Sequence, residues 1–163
     1  MSNVRVIVWR DVLVVCDDGR SVSSDYDEMY EIGAELSQTC RNGIGLLAII
    51  PPDSTPPSSE VRAAMNRVLE RGPELRAACW CIESSGFEAA TVRAVLCGLR
   101  FLRSAPYPRH NASNVHASLT WLLPLLHGGA PRLQEADRAT AYILRQRERA
   151  KAIRNLACGR QAR

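Results

Sequence analysis

Two short apolar runs, Ile44–Ile50 and Leu75–Ile82, constrain this chain more than any other feature. Each has the length of a strand, and each is too apolar to leave one side in water. That is the pattern of strands inside a parallel sheet. Both runs hand the chain over to a helix. After the second, Ser85 and Glu88 have capping-box spacing, in which the hydroxyl and the carboxylate satisfy free backbone donors. Phe87, Thr91, Ala94, Val95, Gly98, Leu99 and Leu102 then recur on one side of a helix reaching Arg103. Two such units in one layer put both helix starts on the same rim.

The remaining elements fit around this pair. Val4–Trp9 and Val12–Cys16 are rich in β-branched residues and read as a hairpin across Arg10-Asp11. Arg-Asp is a poor two-residue turn, so a longer loop stays open as an alternative. Ser23 or Ser24 is expected to cap a helix carrying Met29, Ile32, Gly33, Leu36 and Cys40 on one face, closed by Asn42-Gly43. Prolines 51, 52, 56 and 57 keep the next loop extended. Ser58 or Ser59 starts a second helix with Val61, Ala64, Met65, Val68 and Leu69 as its stripe. Residues 104–110 read as a loop holding a short edge strand. Asn114 caps a further helix through Leu126, which Pro124 is expected to kink or shorten.

Gly128-Gly129-Ala130-Pro131 marks a linker, so the chain divides into a domain over 1–127, a linker over 128–131 and a helical tail over 132–163. The tail's apolar stripe is thin: Ala139, Tyr142, Ile143, Ala150 and Ile153. Nine Arg/Lys against three acidic residues make the tail basic, within a net charge of +4 for the 163 residues. Strands alternating with helices define an α/β fold: a single mixed sheet of four to five strands, amphipathic helices and a C-terminal helical tail.

Composition narrows the function classes. No apolar run approaches the ~20 residues that span a bilayer, and no signal-peptide segment opens the chain, so the expected location is the cytoplasm and no membrane contact is expected. The six cysteines sit mostly inside apolar runs, which fits buried structural thiols. No Cys/His spacing suits zinc, so no metal and no cofactor is expected. His110, His116 and His127 are scattered, and Gly43-Ile44-Gly45 lacks a phosphate-loop pattern. Glu83 and Glu88 would be the carboxylates of any acid–base pair, but Glu88 already has a capping role.

This order of elements resembles the STAS/SpoIIAA-like family, the fold of anti-sigma factor antagonists, over residues 4–126. The likeness rests on the hairpin Val4–Cys16, the helix–strand–helix units, the closing amphipathic helix and the serine-bearing loop after Ile44–Ile50. In that family an Asp-Ser pair at this point is followed by glycine, and a partner kinase phosphorylates the serine to control binding. Here Asp53-Ser54 is followed by Thr55-Pro56-Pro57, so Ser54 matches by its neighbour and Ser58 by its place at the helix start.

The resemblance implies a non-enzymatic protein-interaction and regulatory module of bacterial signalling, with a protein partner and homodimerisation as an open question. Asp53, Ser54, Thr55, Ser58 and Ser59 are its candidate phosphorylation or partner-binding residues. Ser85, Glu88, Arg93 and Arg100 are candidates for the partner surface. Polar loop and cap roles account for the same residues without any partner. Two alternatives stand beside this reading. One is a ligand-binding or enzymatic domain using a pocket at the carboxyl ends of the strands. The other is a nucleic-acid-associated protein acting through residues 138–163. The tail also reads as a solvated helix, or as a docking helix using Tyr142, Ile143 and Ile153.

Overall fold

Val4–Trp9 (β1) and Val12–Asp17 (β2) pair antiparallel with Trp9 opposite Val12, so Arg10 and Asp11 alone make the turn. The longer loop is not needed, because Arg10 takes the left-handed conformation at φ 54°. That conformation costs a residue with a Cβ about 1–2 kcal/mol. Three contacts offset it: the Arg10 guanidinium lies 5.0 Å from the Trp9 ring centre, it pairs with Glu135, and the Asp11 carbonyl accepts from Gly45 N–H at 2.8 Å.

The computed structural model describes residues 4–17, 21–52, 54–55, 57–71, 74–86, 90–92, 94, 106–129 and 133–161, with backbone alone at 68–71 and 154–161. Beyond the hairpin the elements are Ser23–Thr39 (α1), Ile44–Ile50 (β3), Ser59–Arg71 (α2), Leu75–Ile82 (β4), Arg109–Ala112 (β5), Val115–His127 (α3) and Leu133–Gln161 (α4). Residues 86, 90–92 and 94 are also helical; most of the helix expected over 85–103, including Phe87 and Leu99, lies outside the described residues. The five strands form one mixed sheet in the order β1-β2-β3-β4-β5, with β2 to β5 parallel. The edge strand is Arg109–Ala112, later than expected, because the prolines at 106 and 108 precede it; in the ladder each would leave a donor missing.

Strand alternation divides the core in two. Leu13, Val15, Ile44, Leu46, Ala78, Trp80 and Ile82 meet Tyr26 and Met29 of α1 and Val61 and Ala64 of α2. On the other face Val12, Val14, Leu47, Ile49, Ala77, Cys79 and Cys81 meet α3 and α4. All five residues expected to face inward on α3 (Val115, Leu119, Leu122, Leu123 and Leu126) are buried. The Asn114 side chain accepts from Ala117 N–H at 2.8 Å and caps the helix. Pro124 does not cut it short: the helix runs on to His127, and the Pro124 carbonyl takes the Gly128 N–H at 3.0 Å.

Two caps differ from expectation. At α1 the cap is Val22, whose N–H donates to the Asp25 carboxylate at 3.0 Å, so the third helical residue supplies the polar group in place of a serine. Gly43 does not terminate α1, which stops at Thr39. At φ 76° it leads into β3, and a Cβ there would stand 2.7 Å from the Glu74 carbonyl.

The tail helix is part of the second layer. Ala136, Ala139 and Ile143 are at most 1% exposed and pack into the α3 core cluster, whereas Tyr142 and Ile153 of the expected stripe are 38% and 63% exposed. Ile143 is therefore spent inside its own fold. The stripe shifts because the inward face uses alanines, which let α4 approach closely but weigh little in a hydropathy pattern.

Candidate functional site

The backbone hydrogen bonds of β3 and β4 set the geometry of the rim. Ile50 lies opposite Ile82, and Glu83 N–H donates to the Ile50 carbonyl at 3.0 Å. The two loops therefore leave neighbouring strands at the same, carboxyl, end of the sheet. In the first loop the Ser54 hydroxyl donates to the Pro51 carbonyl at 2.8 Å, which folds the chain back on its prolines. Ser58 is the α2 cap: its side-chain oxygen accepts from Val61 N–H at 3.3 Å, and its carbonyl takes the first helical bond, from Arg62 N–H at 2.9 Å. Ser59 opens the helix and is exposed, as is Thr55. Asp53 lies outside the described residues.

In the second loop Ser85 is exposed, while the Ser84 hydroxyl is buried with no hydrogen-bond partner. Glu88, Arg93 and Arg100 lie outside the described residues. Of the candidate residues, the topology thus brings Ser54, Thr55, Ser58, Ser59 and Ser85 to one rim.

The strongest electrostatic feature of the rim joins the end of β4 to α4. Arg147 donates to both carboxylate oxygens of Glu83, at 2.6 and 2.7 Å, with the two side chains 12% and 22% exposed. This fork is the favourable geometry for an arginine–carboxylate pair. Hydrogen bonding to Glu83 holds the Arg147 guanidinium above its ordinary pKa, against the opposing effect of burial. Arg5 from β1 also reaches the Arg147 carbonyl, at 3.4 Å. Read from sequence, Glu83 is a carboxylate at a strand end and Arg147 one basic residue among many. The available signal is spacing: Arg147 follows Ala139 and Ile143 by four-residue steps, on the buried side of α4.

At the end of β2, Tyr26 donates to Asp17 at 2.8 Å and Ser21 donates to the same oxygen at 3.0 Å. Burial first, then the Asp17 charge, push the Tyr26 phenol well above its ordinary range.

The three histidines lie in separate places, and at one of them Asp11, His127, Glu135 and Arg10 form a connected group at the hairpin turn. His116 faces Asp137 at 3.0 Å, and His127 faces Asp11 at 3.0 Å. His110 stacks on Trp121 with ring centres 4.9 Å apart. Cys16, Cys79 and Cys81 are buried thiols. Burial pushes the Cys79 thiol up to about 11 and the Cys81 thiol up to about 12, with the Ser118 hydroxyl as their neighbour. Such thiols stay protonated and act as small apolar groups. Among the described residues no cluster of His, Cys, Asp and Glu could hold a metal, and no helix is long and apolar enough to cross a membrane.

A cleft of about 340 Å³ lies at the opposite, amino, end of β3 and β4, lined by Gly43, Glu74, Arg76 and Tyr107 among others. The pocket considered from sequence was placed at the carboxyl ends. Protein-family models, curated proteins and solved structures were each compared with the chain, and none matches it.

Proposed function

We propose that this chain is a non-enzymatic, STAS-like protein-interaction module whose contact surface is the rim carrying Ser54, Thr55, Ser58, Ser59 and Ser85. One observation carries the reading: β3 and β4 are hydrogen-bonded neighbours in parallel register, so two serine-bearing loops share one edge. The likeness to anti-sigma factor antagonists supports it through the order of elements and the Asp53-Ser54 pair. Chemistry supports a switch at the same place. A phosphate on Ser54 or Ser58 adds roughly −1.5 to −2 charge beside the α2 N-terminus, where free N–H groups and the helix dipole favour anions.

The test is site-specific photocrosslinking in the native host, with a photoreactive residue replacing Thr55, Ser85 or, as the control at the other end of the sheet, Asn42. The expected result is a protein adduct at Thr55 and Ser85 but not at Asn42, together with a phosphopeptide containing Ser54 or Ser58. Equal adducts at Asn42, or none at the rim under several growth conditions, would overturn the proposal.

A further inference from the structure

Two helices on opposite faces of the sheet, α1 and α4, carry opposite charge. Five acidic residues and no basic one lie in α1. Asp25 is used at its own cap, while Asp27, Glu28, Glu31 and Glu35 are exposed. Glu28, Glu31 and Glu35 follow one another by three and four residues, so they line one outward stripe. Among the described residues none of these four acids has an ion pair.

On the other side of the sheet, Arg138, Tyr142, Arg145 and Arg149 of α4 are spaced by four, three and four residues and are all exposed. They too form one stripe, pointing away from Ala136, Ala139 and Ile143. Among the described side chains, the other charged groups of α4 are paired: Glu135 with Arg10 and His127, Asp137 with His116, Arg147 with Glu83, and Lys151 with Glu148. Among the described residues the three stripe arginines have no such partner.

We infer that the arginine stripe of α4 docks on the glutamate stripe of α1 of a second copy of this chain, head to tail. Charge complementarity chooses this occupant. Both stripes run along helices with matching three- and four-residue steps. A nucleic acid would employ the arginines and leave the acidic stripe without a role. Because the stripes lie on opposite faces of the sheet, the contact is heterologous and does not close within a dimer; it continues from copy to copy, as a ring or an open stack. This surface is separate from the serine-bearing rim and stands or falls independently of it. Pairs exposed to water are individually weak, so the assembly is reversible and sensitive to salt.

Sedimentation velocity of the full chain tests the inference. At about 0.01 M salt the average mass rises with protein concentration; at about 1 M, where charges are screened within a few ångströms, it returns to 18.0 kDa. The variants E28K/E31K/E35K and R138E/R145E/R149E each weaken self-association at low salt by at least about tenfold, since like charges then meet. Mixed together they associate again, because each supplies the face that the other lacks. That rescue also shows that both variants are folded.

A wild-type chain that stays monomeric at low salt overturns the inference, as does association unaffected by either variant. Neutralised variants (E28Q/E31Q/E35Q and R138Q/R145Q/R149Q) act as a second check and reduce the association less. Binding of a mixed-sequence DNA or RNA duplex that needs the arginines, without self-association, would assign the stripe to nucleic acid instead.

Discussion

The two faces of the sheet are held by different means. On the α1/α2 face, volume does the work: Trp80, Ile82, Leu13, Tyr26 and Met29 fill the space between sheet and helices. On the α3/α4 face the sheet mixes Val12, Val14, Leu47 and Ile49 with the small Gly45, Ala77, Cys79 and Cys81, and the leucines of α3 pack over the small ones. Small strand residues let α3 approach closely. A Cβ on Gly45 would stand only 2.8 Å from Leu126 and 3.1 Å from Leu122. The long α4 adds few large side chains and is fastened by charge, at Glu83–Arg147 near one end of the sheet and Arg10–Glu135 at the hairpin turn. One face depends on filling space and the other on close approach together with ionic clasps.

Substitutions separate the two designs. The largest effect is expected for Leu122→Ala, since Leu122 is fully buried where the sheet has least side chain to collapse into the gap. Loss of about 3 kcal/mol, read from urea unfolding, is the expected outcome; a loss below ~1 kcal/mol would show that α3 settles onto the sheet and the close-approach picture is wrong.

Next comes Glu83→Gln, which leaves Arg147 facing a neutral amide. Partial solvent screening keeps the loss near 1–2 kcal/mol, below that of a fully buried pair. The sharper readout is local: amide exchange over 139–150 should accelerate while α1 is unchanged. Uniform acceleration in both helices would mean that α4 opens only with the whole fold.

The smallest effect at neutral pH belongs to Tyr26→Phe on the volume-filled face, about 1 kcal/mol for the lost hydrogen bond to Asp17. Its signature lies in alkali. The folded phenol has a raised pKa, so the unfolded chain gives up its proton first, near pH 10. The stability it contributes is full below that pH and falls as the pH rises above it. Wild type should therefore lose stability more steeply than Tyr26→Phe above pH 10; parallel curves would place that phenol in water.

Much of this was legible from residues alone. The runs Ile44–Ile50 and Leu75–Ile82 are parallel neighbours, as continuous apolar strands require, and Asn114 and Ser58 cap the helices that they precede. What sequence hid was mostly long-range. Glu83 and Arg147 are 64 residues apart, and only the docking of α4 brings them together. Ala139 and Ile143 of the expected α4 stripe do face inward, but Ala136 carries too little hydropathy to be picked out, and Tyr142 and Ile153 face outward. The two-residue turn at Arg10 ran against local preference, and contacts from Trp9 and Glu135, one adjacent and one distant, account for it. At the rim, the local pattern placed the serines, but a hydroxyl that caps a helix and one that awaits a partner carry the same letter.

The segment Gly43-Ile44-Gly45, which carries no phosphate-loop pattern, works as a spacer gauge. The gap between sheet and α3 is fixed there by atoms that are missing, not by atoms that touch. A descendant of this chain that gains a methyl group at position 45 must shed carbon at 122 or 126 to keep the layers in register. Variation at these three sites should accordingly be coupled, while the outward faces of the same helices drift freely.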